Sequence, residues 1–311
     1  MKKNKKIIKN KLKEIFEMTQ SNENLKACSF SFDSFIEDIN TFIKTNDDIE
    51  KKVINNHYGE ILVSFLFIYY NAFFSMAINQ KDDNVFPFDR LNNGINPNLI
   101  LENIFTHIVN LSLSIIHLCK QGQDFASRVL LRSLFELYCI SVIIIYSEEQ
   151  MELYCKTGGD TKESKEIWYK YFRPKKLLES LHNIEKDLIE QSDIEYLDLM
   201  KNKWKEFYEF YSGISHNSYV DCMVSAICDP GNTDDILQSS LLGNYNIGIG
   251  STIAKVNDLG FYFNAIHFNI IFIKFGYRIQ KDNLLWCNTI LFDKCAHEFF
   301  EYIRKFDDDQ K

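Results

Sequence analysis

Helix breakers are scarce in this chain, with four prolines and twelve glycines among 311 residues. So few breakers disfavour a fold of many short strands and tight turns, and they favour long helices. No window alternates apolar and polar residues at period two for long, so a sheet-based fold is excluded as well. The eight cysteines contain no C-x-x-C, and Cys222 and Cys228 lie six apart, the wrong spacing for a zinc knuckle. The seven histidines contain no H-x-x-x-H. No metal site and no other cofactor is therefore expected. A Walker P-loop, a G-x-S-x-G elbow and a dinucleotide G-x-G-x-x-G after a strand are all missing. The glycines of residues 243–250 read as a loop between helices.

Positive charge is not in excess either. A net charge of −8 excludes a broad basic nucleic-acid coat but leaves room for a local basic cleft. The lysine-rich start turns amphipathic without an apolar h-region, so no secretory leader is expected. The cysteines then read as reduced thiols of a cytoplasmic protein.

What the chain does have is aromatic bulk, twenty-six phenylalanines and sixteen tyrosines, enough for a large core. Apolar spacing predicts helices over residues 5–18 and 32–43. A long helix capped by Asp47 or Asp48 is expected to run through Asn79. Asn96-Pro97 starts another that runs to Gly122, and Asp124 caps a helix over 125–146 as its antiparallel neighbour. Thr161 caps a short helix, and Arg173-Pro174 starts another. Ser192 or Asp193 opens a helix to Tyr211, Asp229-Pro230-Gly231-Asn232 makes a turn, and residues 251–279 and 282–306 complete the set. The expected fold is all-α, a multi-helix bundle. Residues 1–45 form an N-terminal helical arm and residues 46–311 the bundle domain. One stretch, 61–78, approaches the ~20 apolar residues of a bilayer span. With Ser64, Asn71 and Ser75 inside it and no second span elsewhere, it reads as a buried core helix.

Arginine is rare, six against twenty-nine lysines, and two of the six lie four apart in an apolar helix. Arg128, Arg132 and Glu136 at i, i+4 and i+8 share one helical face. A cation in apolar surroundings needs a partner, since an unpaired buried charge costs several kcal/mol. A second polar crowd, Ser212, Ser215, His216, Asn217 and Ser218, follows Tyr211 at a helix end around Gly213. A histidine there can titrate near neutrality and serve as acid or base.

The stretch G-Q-D-F-A-S-R-V-L-L-R-S-L-F-E and, about eighty residues on, Y-S-G-I-S-H resemble an uncharacterised bacterial helical family similar to the HEPN superfamily. The resemblance covers residues 97–220 and implies an HEPN-like core with helical additions at both ends. It further implies a homodimer, a role in phage defence, toxin–antitoxin systems or stress response, and RNA or a nucleotide as partner. Many members of that superfamily are metal-independent endoribonucleases with Arg, a polar residue and His in one helix segment. Here Arg132 and His216 come from different helices.

Under that resemblance, His216 exchanges a proton with a ribose 2′-hydroxyl or a leaving 5′-oxygen, and Arg132 stabilises charge on the phosphate. Glu136 orients Arg132, and Ser215 or Asn217 orients His216. Arg128, Ser212 and Asn217 complete substrate binding. Lys170, Arg173, Lys175, Lys176, Lys201, Lys203 and Lys205 could guide a phosphate backbone. Two alternatives stand beside this. In one the cluster is a structural network of a non-enzymatic sensor or scaffold that meets a protein partner. In the other the basic amphipathic start makes the chain a peripheral membrane effector.

Overall fold

A computed structural model describes residues 2–22, 30–43, 48–80, 85–87, 91, 94–188, 194–215, 247–279 and 282–308. Among them there is no strand. The helices are α1 (Lys2–Gln20), α2 (Phe32–Ile43), α3 (Asp48–Asn56), α4 (Tyr58–Ile78), α5 (Pro97–Lys120), α6 (Asp124–Tyr146), α7 (Glu148–Cys155), α8 (Lys162–Ile167), α9 (Pro174–Leu188), α10 (Ile194–Ser215), α11 (Ile247–Phe268) and α12 (Leu284–Asp308). Two π-helical turns, Trp168–Phe172 and Asn269–Lys274, extend α8 and α11.

α4 lies at the centre, against α5, α11 and α12. It is apolar nearly all round because it is buried nearly all round. Two of its polar side chains donate inside the bundle. Ser64 donates to Asn257 Oδ1 at 2.6 Å, and Asn71 donates to the Tyr138 hydroxyl at 3.0 Å. Close approach is secured by missing side chains. A Cβ on Gly260 would lie 2.6 Å from the Phe67 ring, and one on Gly59 would lie 2.6 Å from Ile303. α1 and α2 join the same core, where Phe16 and Phe35 each lie 5.9 Å from the Phe292 ring.

The expected long helix from Asp47 or Asp48 to Asn79 is two helices. His57, at φ −122° and ψ 29°, leaves helical geometry between α3 and α4. Its ring occupies the space beside Gly250, where a Cβ would stand 2.4 Å from it. That contact also corrects the loop expected at 243–250. Residues 243–246 lie outside the described residues, but Ile247 to Gly250 already belong to α11, where glycine lets the His57 ring in. α11 itself stops at Phe268 instead of running to residue 279, because the ladder widens into the π turn and ends at Gly276, φ 66°. The turn at 229–232 and the helix start at Ser192 or Asp193 lie outside the described residues.

Several other local signals act as read. Asn96 accepts from Asn98 N–H at 2.9 Å with Pro97 in the first turn. Thr161 caps α8 through Ser164 N–H at 3.1 Å. A three-residue link, with Gly122 at φ 74°, folds α6 back on α5. Arg173, at ψ 150°, is extended before Pro174 as the proline ring requires. The cap of α12 is Asn283, which accepts from Trp286 N–H at 3.2 Å.

A further expectation is overturned. Three described helices, not one, are long and apolar enough to cross a membrane: α4, α5 and α6. The best stretch of α4 is 78% buried in protein, that of α5 only 39%. The outer face of α5 carries exposed Asn103, Thr106, His107, Asn110, Ser114 and His117. These residues are polar, but none is Asp, Glu, Lys or Arg, so by length and composition the helix still qualifies.

Candidate functional site

α6 brings its charged residues out in two consecutive pairs. Asp124 and Arg128 form the first, at 2.6 Å, with both residues buried. Asp124 Oδ1 also accepts from Thr252 of α11 at 2.7 Å. Asp124 is therefore not the cap expected of it. Gln123 precedes the helix without a side-chain cap, and the Asp124 carboxylate sits in the first turn, where the helix dipole favours an anion. Arg128 is committed to that carboxylate.

Arg132 and Glu136 form the second pair one turn on, Nε to Oε1 at 3.0 Å, and both are partly exposed. Arg132 also donates from Nη2 to the hydroxyl of Tyr208 on α10 at 2.8 Å. Its guanidinium carbon lies 5.1 Å from the centroid of that ring. Ser212, one turn beyond Tyr208, hydrogen-bonds to the same hydroxyl. Burial pushes the Tyr208 phenol above its ordinary pKa, and the nearby Arg132 charge holds back part of the rise. The structure thus brings together Arg132, Glu136 and Ser212, with Tyr208 as the link. Ser215 ends α10, and its side chain lies outside the described residues, as do His216 and Asn217.

Tyr208 also lines a cavity of about 720 Å³ between α9 and α10. This is a volume suited to a nucleotide-sized ligand. Lys175, Lys201 and Lys205, three of the basic residues singled out in the sequence, line it together with Glu179 and Glu209. Its floor holds three polar groups that the sequence reading missed. Glu185 is 2% exposed, His182 8% and Trp204 1%. Among the described residues, neither oxygen of Glu185, nor His182 Nδ1, nor Trp204 Nε1 has a hydrogen-bond partner. His182 Nδ1 stands 3.6 Å from Glu185 Oε2.

Burial raises the Glu185 carboxyl from its ordinary 4.5 to about 7, and the approach of the Trp204 indole offsets part of the rise. That indole comes near without reaching normal hydrogen-bond geometry. Burial also lowers the His182 imidazole, helped by Lys186 and Lys201, with Asp198 opposing. The signal that could have flagged this floor is L-H-N-I-E on α9, which puts His182 and Glu185 on the apolar side of an amphipathic helix. On α10, Trp204 and Tyr208 share a face at i, i+4.

Two buried thiols, on α5 and α6, are poorly suited as nucleophiles. Burial drives Cys119 up to about 12 and Cys139 well above its ordinary value. Among the described residues no group of three or more histidines, cysteines and carboxylates is arranged to hold a metal ion. Comparison with protein-family models, with curated proteins and with solved structures finds no match to this chain.

Proposed function

We propose that this protein recognises RNA or a nucleotide, as an HEPN-like helical protein of bacterial defence or stress response. The observation that carries the reading is the placement of Arg132. Glu136 and Tyr208 hold its guanidinium in a fixed orientation, and Tyr208 in turn walls a cavity that carries three lysines. A planar five-donor cation held in this way is suited to phosphate oxygens. Lysines around the cavity supply attraction for a phosphate, reduced by Glu179 and Glu209 in the same lining. Four residues after Ser212 in the sequence comes His216, the acid–base group of a metal-independent cleavage. In that reaction the ribose 2′-oxygen attacks phosphorus, the 5′-oxygen leaves, and His216 handles the proton at one of the two.

The test is incubation of the purified chain with tRNA in excess chelator. Cleavage by the native protein, lost in both Arg132→Ala and His216→Ala while circular dichroism stays native, is the expected result. Binding without cleavage would reduce the reading to recognition. Absence of both would remove it.

A second reading is favoured by one fact: Arg132 already finds its partners within the chain. In that case the network fixes α6 on α10, and the protein works as a scaffold or sensor. Arg132→Ala would then lower the melting temperature and leave RNA binding unchanged.

A further inference from the structure

We infer that the floor of the α9–α10 cavity is a base-recognition site, in which Glu185 accepts the paired N–H donors of a guanine ring. The inference rests on the reading that the protein binds RNA or a nucleotide, and it names the base. Native proteins rarely leave buried polar atoms without partners, and a buried carboxylate without donors is among the most costly cases. Among the described residues both Glu185 oxygens are in that state, and Glu185, almost wholly withdrawn from solvent, is one of the residues lining a cavity with room for a ligand. Burial raises the pKa of this carboxyl, as expected for an acid withdrawn from water.

The charge pattern selects the ligand. An ionised carboxylate only accepts, through two oxygens side by side. Such a group matches a ligand edge with two adjacent donors. Lys175, Lys201 and Lys205 share the lining with Glu179 and Glu209, and Lys205 lies 3.9 Å from Glu209, so the lining supplies cations for a phosphate without by itself excluding a cationic ligand. A ligand with a donor-rich head and an anionic tail fits both ends. Guanine nucleotides have that form, with N1–H and the 2-amino group on one edge and phosphate at the far end. Adenine offers a donor beside an acceptor on the equivalent edge, which an ionised carboxylate meets only once. Leu178 and Leu181 give the cavity apolar walls, and Tyr208 adds a flat aromatic one.

The experiment is calorimetric titration of the full chain at pH 8 with GMP, IMP, AMP and inorganic phosphate. A G-containing and a G-free oligoribonucleotide are titrated alongside. IMP differs from GMP only by lacking the 2-amino donor. GMP, or the G-containing oligomer if the ligand is RNA, is expected to bind about ten-fold or more tightly than its IMP, AMP or G-free counterpart. Inorganic phosphate is expected to compete weakly. Glu185→Gln is expected to erase the GMP-over-IMP preference without lowering the melting temperature. Equal binding of GMP, IMP and AMP would overturn the base assignment while leaving nucleotide recognition standing. Binding by none of the nucleotides or oligomers would sink both. A Glu185→Gln protein that keeps its GMP preference would move the recognition elsewhere. Because the IMP comparison uses only the native protein, the inference stays exposed to refutation even if the variant fails to fold.

Discussion

Arg132 on α6 donates to the hydroxyl of Tyr208 on α10, Nη2 to Oη at 2.8 Å, and this bond joins the charged stripe of one helix to the wall of the α9–α10 cavity. Replacing Tyr208 by Phe removes the acceptor and keeps the ring. Glu136 still holds Arg132, so a stability loss of about 0.5–1.5 kcal/mol is expected in urea unfolding. Affinity for RNA is expected to fall at the same time, because the guanidinium loses its second tether. Unchanged affinity in a stable Tyr208→Phe protein would show that the Tyr208 tether has no part in binding.

The Asp124–Arg128 pair should behave differently, because it is buried where Arg132–Glu136 is partly exposed. Arg128→Ala leaves the Asp124 carboxylate with Thr252 as its remaining side-chain donor. The expected cost is roughly 3–5 kcal/mol. The double replacement Asp124→Asn with Arg128→Met should recover much of that loss. If the single variant unfolds at the native denaturant midpoint, the pair is not the anchor of α6 on α11.

Glu185 makes the protein less stable as pH rises. Unfolded, its carboxyl titrates near 4.5, and folded it titrates near 7. Between those values the folded state holds the proton that the unfolded state has released. Stability is therefore full below about pH 4.5 and falls until about pH 7, by roughly 3 kcal/mol. Glu185→Gln should remove this slope and raise the melting temperature at pH 8. A lower melting temperature at pH 8 would mean that the carboxylate supports the fold, contrary to its lack of partners.

His267 sets the acid limit with the opposite sign. Buried against Ser141, Phe74, Phe105 and Tyr138, its imidazole is pushed down from 6.5 to about 3. Below pH 6.5 the unfolded chain gains a proton that the folded chain refuses. Stability is thus lost as pH falls toward 3, by about 5 kcal/mol at most. His267→Phe is expected to flatten urea midpoints across pH 3–6 relative to the native protein. An equally steep acid limb in that variant would assign acid unfolding to other groups.

Gly260→Ala measures how closely α11 approaches α4. Alanine would gain up to ~1 kcal/mol of helix propensity in an open helix. Here its Cβ would fall 2.6 Å from Phe67 Cγ and 2.9 Å from Phe67 Cβ, atoms near the backbone that cannot swing aside. Overpacking of about 1–3 kcal/mol should win, and the melting temperature should drop. A rise would show that the two helices can separate without loss.

The elements of the fold were legible wherever the signal was local. Asn96-Pro97, Thr161 and Arg173-Pro174 start helices through bonds and clashes within a few residues, so the sequence carries them in full. The break at His57 was not legible, because it depends on Gly250, nearly two hundred residues away. Asp124 was misread for the same reason. A cap is a local choice, but its carboxylate is taken by Arg128 and by Thr252 from a distant helix. Of the site, Arg132, Glu136 and Ser212 could be picked out because a charge in an apolar helix demands an explanation. Glu185 and Trp204 carried no such mark. Each looks ordinary on an amphipathic helix until its neighbours fail to supply a hydrogen bond.

By itself the sequence determined an all-helical chain, the position of most helix starts, and the helix on which arginine had to find a partner. These follow from backbone preference and from a period of 3.6, which act over a few residues at a time. Which polar groups are satisfied, which are left bare, and whether a cavity lies beside them were decided only when α6, α9 and α10 packed. Hydrogen-bond balance and enclosed volume are sums over side chains brought from far apart, and no short stretch of sequence contains them.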